Sequence, residues 1–291
     1  MFPSGDSGAV PNKGRRLQTL IRGLYHHSAS GLGTSIVLVF LALALLGPLI
    51  TPYGVNEQVA TEALSRPSSR HLFGTDLLGR DVFSRVILGA GQVLALAGMG
   101  TLLAVILGTS IGLISGYAGG WLDELLMRFF DSLLSLPALL LALLLLGTLG
   151  PSRRSVLVVI VVVYTPIVAR VVRSVALSVK TKGFIDAARL QGESLGRILF
   201  REILPSALPA LAVEASLRFS YAIFLVASLG FLGIGVQPPS PDWGLMVKEA
   251  RAYVSQAPWA LYFPAGSIAL LVIGVNLAAD GLKREFQAVR E

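Results

Sequence analysis

Apolar residues along this 291-residue chain fall into six blocks, each close to the length that a helix needs to cross a membrane. The pattern predicts six transmembrane helices, at about residues 32–50, 93–117, 125–149, 156–177, 208–229 and 259–279. Pro137 predicts a kink in the third helix and Pro166 a kink in the fourth, because proline removes a backbone hydrogen bond. The chain is therefore predicted to be an all-α integral membrane protein.

The composition supports this prediction. Hydrophobic residues make up 54% of the chain and charged residues 14%, whereas soluble domains carry about 25% charged residues. There is no cysteine, which excludes disulfides and thiolate metal sites. The net charge of +7 comes from basic residues that flank the apolar blocks, so membrane topology explains it and no nucleic-acid partner is predicted.

Six spans place both termini on the same side of the membrane. The segments on that side hold fifteen lysines and arginines, and those on the other side hold eight. Because positive residues are enriched in cytoplasmic segments, both termini and the polar loop at 180–205 are predicted to be cytoplasmic.

The stretch 184–205, FIDAARLQGESLGRILFREILP, interrupts the apolar pattern between the fourth and fifth spans. It predicts a short helix with Asp186, Ala187 and Ala188 that ends at Gly192, where glycine permits a positive φ. A second, amphipathic helix is expected from Ser194 to Pro205, with its apolar face toward the bundle. The two alanines would let the first helix sink into a groove of another protein, with Asp186 and Arg189 at the rim. A surface helix without a partner fits the same pattern.

Two further sets of residues within the spans are candidates for packing or function. Gly108, Gly112 and Gly116 recur at four-residue spacing on one helix face, which favours close helix packing, either inside this chain or against another subunit. Glu214 and Arg218 are also four apart and predict an intramembrane ion pair. That pair would either line a translocation path or simply neutralise itself near the cytoplasmic interface. Arg170 and Arg173 are expected to extend to the interface.

The sequence offers no candidate for catalysis. The histidines lack the spacing of a metal site, and the GxSxG match at 108–112 lies inside a span, where a nucleophile turn cannot form. No GxxxxGK[ST] loop occurs, so any ATP must be bound by another subunit. No catalytic residue, metal ligand or cofactor site is predicted on this chain.

Several motifs resemble one known family. Asp186-Ala187-Ala188, Gly192 and Leu204-Pro205 resemble the EAA motif of ABC importer permeases, with Asp186 in place of the usual glutamate. The stretches 71–90 and 228–282 resemble the C-type subunit of the dipeptide, oligopeptide and nickel permeases. The resemblance implies a type I importer permease and a coupling helix that docks on an ATPase subunit, through Asp186, Ala187, Ala188, Arg189, Gln191, Gly192, Leu204 and Pro205.

The resemblance also implies an organisation and a set of partners. Residues 1–28 would form a cytoplasmic segment, 29–283 the permease domain and 284–291 a cytoplasmic tail, in a bacterial inner membrane. The expected partners are a second homologous permease subunit, two ATP-binding subunits or domains that bind ATP and Mg, an extracytoplasmic substrate-binding protein and membrane lipid. The expected role is non-catalytic passage of peptides. Nickel chelates or another small solute remain alternatives within the family, and an ion-coupled secondary transporter is the alternative outside it.

Overall fold

The computed structural model describes residues 28–58 and 60–288, and within these ranges it gives no side-chain detail at Ala60 or at 285–288. Most of the N-terminal segment 1–28 and the last residues of the expected tail lie outside the described residues. The described chain is helical apart from its connections. Its helices are α1 (Ser28–Ile50), α2 (Val82–Ala118), α3 (Gly120–Leu134), α4 (Ala138–Leu149), α5 (Arg153–Val179), α6 (Gly183–Leu190), α7 (Leu195–Leu232), α8 (Trp243–Ala250) and α9 (Trp259–Ala288).

Five of these helices are long and apolar enough to cross a membrane, namely α1, α2, α5, α7 and α9. The predicted third span is not one kinked helix, since α3 and α4 meet at an angle of 92°. The break falls at Ser135–Pro137, where proline lacks an N–H and its ring forces the preceding residue out of the helical conformation. Counting the bent pair as one broken span gives the six expected crossings.

The predicted helix end at Pro205 is also wrong. The chain is helical without interruption from Leu195 to Leu232, and its π-helical segment is Ile198–Ile203. Pro205 lies in the first turn of the α-helix that follows this segment, a position where a missing N–H costs little. The second half of the polar loop at 180–205 and the fifth span therefore share one helix.

Helices α2 and α5 form the most extensive helix pair in the described chain. Small residues line the α2 side of the crossing, and a Cβ added at Gly112 would lie 2.5 Å from the carbonyl oxygen of Ala169. An added Cβ at Gly108 or Gly116 would lie 2.7 Å from the Cβ of Val168 or Ala176, respectively. The glycine face thus packs against α5 of the same chain, and of the two interpretations above the intramolecular one applies.

Two arginines of α5 hold α3 rather than extend alone to the interface. The guanidinium of Arg173 donates two hydrogen bonds of 2.5 Å to the carboxylate of Asp123. Arg170 forms an ion pair with Asp131, about two turns further along α3. Their expected reach to the membrane interface stays a prediction, and α3 supplies a counter-ion to each of them.

The opposite end of the bundle carries an outer cap, which we define as residues 51–81 together with 233–258. Trp243 of this cap is fully buried and donates its indole N–H to the carbonyl of Val86, 2.9 Å away. Arg80 joins the two parts of the cap, because it contacts both Asp76 at 2.6 Å and Glu249 at 2.7 Å. The cap is therefore fixed to the start of α2.

A histidine at the centre of the cap lies between two carboxylates. The ring of His71 is 4% exposed, with Nδ1 2.8 Å from Asp81 and Nε2 2.8 Å from Glu62. Burial opposes the charged imidazolium, but the hydrogen bonds and the charges of Glu62 and Asp81 outweigh it and raise the pKa of His71. A protonated ring donates to both carboxylates at once, which a neutral ring cannot do.

Adding one methyl group at the α2–α5 crossing should destabilise the fold. We expect Gly112→Ala to lower the free energy of unfolding by about 1–3 kcal/mol, because the new Cβ overlaps the α5 backbone. Gly147→Ala in α4 is the matched control, since a Cβ there meets nothing within 4 Å. Thermal melting of the detergent-solubilised protein measures both. Equal melting temperatures for the two variants would contradict the tight crossing.

The stability of the outer cap should depend on pH through His71. Its pKa is higher in the folded than in the unfolded protein, so its contribution is complete below pH 6.5 and is lost as pH rises through the raised value. Burial raises the pKa of Asp242 to about 6. Protonation of Asp242 therefore also makes stability fall as pH rises, but this fall takes place at lower pH than the fall due to His71. Melting curves between pH 6.5 and 9 should show falling stability in the native chain and a smaller fall in His71→Gln. Identical pH profiles would contradict the prediction.

Candidate functional site

Helix α6 ends in a defined backbone motif. The N–H of Gly192 bonds to the carbonyl of Arg189 at 3.0 Å, and the N–H of Glu193 bonds to that of Ala188 at 3.1 Å. These are the two bonds of a Schellman motif, and Gly192 adopts the positive φ of 73° that this motif requires. The helix therefore stops where the glycine predicts, and the chain turns directly into α7.

The eight residues of α6 carry two apolar stripes, one buried and one exposed. Ile185 is fully buried and Ala188 is 9% exposed, and both pack in a cluster with residues of α2, α5 and α7. Phe184, Ala187 and Leu190 form an exposed stripe beside the buried one, and Leu190 is 90% exposed. One face is thus fixed in the bundle, while the other presents an apolar surface outward.

Ala188 does not take the place that the sequence predicts for it, because it lies on the bundle face rather than at an outer groove. Leu190 is a further functional candidate, which the motif residues do not include. The spacing of Phe184, Ala187 and Leu190 at every third residue is the signal in the sequence that points to it.

One contact ties α6 to the central helix pair, and a second holds the end of α5 against α2. Arg189 donates from Nε to the hydroxyl of Tyr117 at 3.0 Å, and its guanidinium also lies over that ring, 5.0 Å from the centroid. Lys180, just after α5, donates to the carbonyl of Gly116 at 2.9 Å. Tyr117 and Gly116 both belong to the last turn of α2. The position of α6 is therefore set by the α2–α5 pair.

The remaining predicted docking residues differ in exposure. Asp186, Arg189, Gln191, Gly192 and Pro205 are exposed, whereas Leu204 is half-buried beside the inner cluster. At the start of α7 the apolar face is narrower than expected, because Ile198, Leu199 and Ile203 are buried but Leu195 is 55% exposed. The outward surface of this region consists of α6 and the turn after it, with Leu195 at its edge.

The intramembrane pair forms a second candidate site, midway along α7. Nε of Arg218 lies 2.7 Å from Oε1 of Glu214, and the two side chains are 14% and 13% exposed. The two atoms are not aligned as a hydrogen bond, so the contact is an ion pair by distance only. The guanidinium also lies over the rings of Tyr221 and Tyr164, at 4.8 and 5.7 Å from their centroids. Neither tyrosine was among the residues predicted for this site, because Tyr164 lies 50 or more residues before the pair in the chain and no spacing pattern links it to them.

The family profile described as "Binding-protein-dependent transport system inner membrane component" matches residues 108–287, which include both candidate sites. The chain is 43% identical over 251 residues to the dipeptide transport system permease protein of Alkalihalophilus pseudofirmus, an alignment that covers 86% of this chain and 83% of that protein. The chain belongs to this permease family. It is a multi-pass component of the inner membrane.

Further comparisons place the permease among similar proteins. It is 38% identical over 263 residues to the glutathione transport system permease protein of Pectobacterium atrosepticum, over 90% of this chain and 87% of that one. Its fold is similar to that of a chain of the inward-facing MetNI methionine ABC transporter, with a TM-score of 0.56 and 20% identity, over 70% of this chain and 96% of that chain. This likeness supports the importer-permease architecture, and the family membership removes the secondary-transporter alternative.

The ion pair in α7 predicts non-additive effects of substitution. We expect Glu214→Gln and Arg218→Met to destabilise the permease by roughly 1–3 kcal/mol each, because each leaves an unpaired polar group away from water. The double variant should be less destabilised than the sum of the two. Thermal melting of the four proteins gives the coupling free energy.

An exposed pair on α3 supplies the control for this cycle. Glu124 and Arg128 have the same four-residue spacing and lie 3.2 Å apart, but their side chains are 67% and 77% exposed. The corresponding cycle there should give a coupling of less than about 0.5 kcal/mol. Additive losses at Glu214 and Arg218 would show that the two side chains do not stabilise each other.

Proposed function

We propose that this permease forms half of the translocation path of an ATP-driven peptide importer and transmits the motion of an ATPase to that path. The observation that carries the proposal is the exposed stripe of α6, formed by Phe184, Ala187 and Leu190. An apolar surface on a helix that the bundle holds rigidly is typical of a docking site for another protein. The positive-inside pattern assigns this surface to the cytoplasm, where an ATPase would bind it.

The proposal includes the partners expected from the sequence. A second homologous permease subunit completes the path, two ATP-binding subunits or domains dock on the cytoplasmic side, and an extracytoplasmic binding protein delivers the substrate. ATP and Mg are bound by the ATP-binding subunits, so this chain is non-catalytic and carries no cofactor. The family description, which names a binding-protein-dependent system, supports this arrangement.

Peptides are the proposed substrate class. Two relatives are named as permeases for dipeptides and for glutathione, which is itself a small peptide, and both align with most of this chain. The experiment is reconstitution of the permease with its partner subunits in vesicles, followed by measurement of ATP-dependent uptake of a labelled dipeptide. Uptake of a nickel chelate without uptake of any peptide would overturn the substrate assignment.

The structure offers a mechanical reason for this division of roles. Helix α6 is fixed to the last turn of α2 through Arg189 and Tyr117, and the adjoining α7 runs without a break into the bundle. A displacement of α6 by an ATPase would therefore move α7 and, with it, the intramembrane pair. In this proposal residues 29–283 are the permease domain, 180–205 is its docking loop, and 284–291 is a cytoplasmic tail.

Changes on the exposed stripe should uncouple ATP hydrolysis from uptake. We expect Leu190→Ala to reduce ATP-dependent uptake at least about tenfold, because a leucine that becomes buried on docking contributes roughly 1.5–3 kcal/mol. Ala187→Trp should have a similar effect by blocking close approach. Both side chains point away from the bundle, so the amount of folded permease in the membrane should not change.

Leu45→Ala in α1 is the matched control. Leu45 is 77% exposed, like Leu190, but it lies on a membrane-spanning helix far from the docking loop. Its uptake should remain at the native level. Native uptake by both stripe variants would remove α6 from the coupling pathway.

A further inference from the structure

A cavity of about 460 Å³ lies beside the break between α3 and α4. Leu136 and Pro137 of the break form one wall, Tyr164 of α5 a second, and Arg218, Tyr221 and other α7 residues a third. Its volume is within the range of pockets that bind small ligands. The wall is mostly apolar, so its few polar side chains determine what kind of ligand the cavity accepts.

Arg218 is the only charged side chain in the wall of this cavity as the described residues form it. The guanidinium has five N–H donors, yet within the described residues it donates no aligned hydrogen bond, and Nε has no hydrogen-bond acceptor despite its distance to Glu214. Nε is buried, so the lack of an aligned acceptor for this donor costs free energy. The cation is therefore held in place by the rings of Tyr164 and Tyr221 and by the charge of Glu214, while its donors remain available.

Arg173, in the same bundle, is an arginine with aligned hydrogen bonds to its counter-ion. Its Nε and one terminal nitrogen each donate a 2.5 Å hydrogen bond to the two oxygens of Asp123. This is the planar two-point arrangement that a guanidinium forms with a carboxylate. Arg218 lacks such a partner, and the cavity provides the space for one.

We propose that Arg218, with Tyr164 and Tyr221, forms a subsite for a carboxylate on the translocation path, which binds the terminal carboxylate of a peptide in transit. This proposal rests on the proposed function for the identity of the ligand. Glu214 keeps the local charge near neutral, so the ligand is held by hydrogen bonds and not by a large net charge. A site of this strength binds a passing solute and also releases it, as transport requires.

An apolar occupant is the competing interpretation. A lipid tail or an apolar side chain of a second subunit would fill the leucine-lined walls. It would, however, leave the donors of Arg218 unsatisfied, whereas a carboxylate satisfies them. The two occupants are distinguished by comparing a carboxylic acid with its neutral amide.

Cysteine protection in the assembled complex tests the proposal. The chain has no cysteine, so Ser228→Cys introduces a single thiol into the cavity wall with little change in size. The complex in lipid nanodiscs is treated with methyl methanethiosulfonate, and the mass gain of this chain measures the reaction. N-acetylleucine and N-acetylleucinamide, which differ only in the carboxylate, are then compared as protecting ligands.

We expect the acid to protect the thiol at a concentration at least about tenfold lower than the amide, as a charge-assisted hydrogen bond implies. Arg218→Met should abolish this advantage. Arg218→Lys keeps the charge but loses the two-point geometry, so it should reduce the advantage and also tests the site if the methionine variant does not fold. The proposal would be overturned if acid and amide protected the thiol equally, if neither protected it, or if the thiol did not react. It would also be overturned if the advantage of the acid were unchanged in both variants.

Failure of the subsite and failure of the proposed function give different results. Peptide uptake by vesicles in which the acid shows no advantage would overturn the subsite and leave the importer assignment intact. Preferential protection by the acid in a complex that takes up no peptide would support the carboxylate subsite and overturn the peptide assignment.

Discussion

The close approach of α2 and α5 is the constraint on which the rest of the structure depends. Glycines along α2 allow the backbone of α5 to lie against it, and a single added Cβ at Gly112 would overlap that backbone. Without a hydrophobic driving force between helices in lipid, such contact between small residues is a main source of helix association. With 37 residues, α2 extends for about 55 Å, so this one crossing organises both ends of the molecule. At one end Trp243 bonds to Val86, and at the other Arg189 bonds to Tyr117.

The spans could be predicted from the sequence because the length and polarity of each block reflect the membrane directly. The break at Ser135–Pro137 could not, since a proline in an apolar block fits either a mild kink or a complete turn, and contacts with other helices decide between them. The salt bridges from Arg170 and Arg173 to α3 could not be predicted from the sequence for a related reason. Their partners are 39 and 50 residues away in the chain, and hydropathy carries no information on pairing at that distance.

Within the loop at 180–205, the backbone conformation could be predicted from the sequence for some residues, while the side-chain exposure could not be predicted for others. Gly192 has a local signal, because its positive φ is a property of the backbone that glycine permits at little cost. The two alanines have no such signal, since only the tilt of α6 places Ala188 inside and Ala187 outside. Trp243 illustrates the same limit in the outer cap. A tryptophan near a span suits the headgroup region, yet this one is fully buried, because the start of α2 offers its indole N–H an acceptor.

Charged residues within a membrane bundle differ in how fully they are satisfied, and this difference is informative about their role. Arg173 forms two aligned hydrogen bonds with Asp123, so its role is to hold α3 in place. Arg218 has a counter-ion at similar distance but no aligned hydrogen bond to it, and it lies at the wall of a cavity. In the proposed carboxylate subsite, a solute satisfies the open donors of Arg218 for part of the transport cycle and so offsets the free energy that an unsatisfied donor costs.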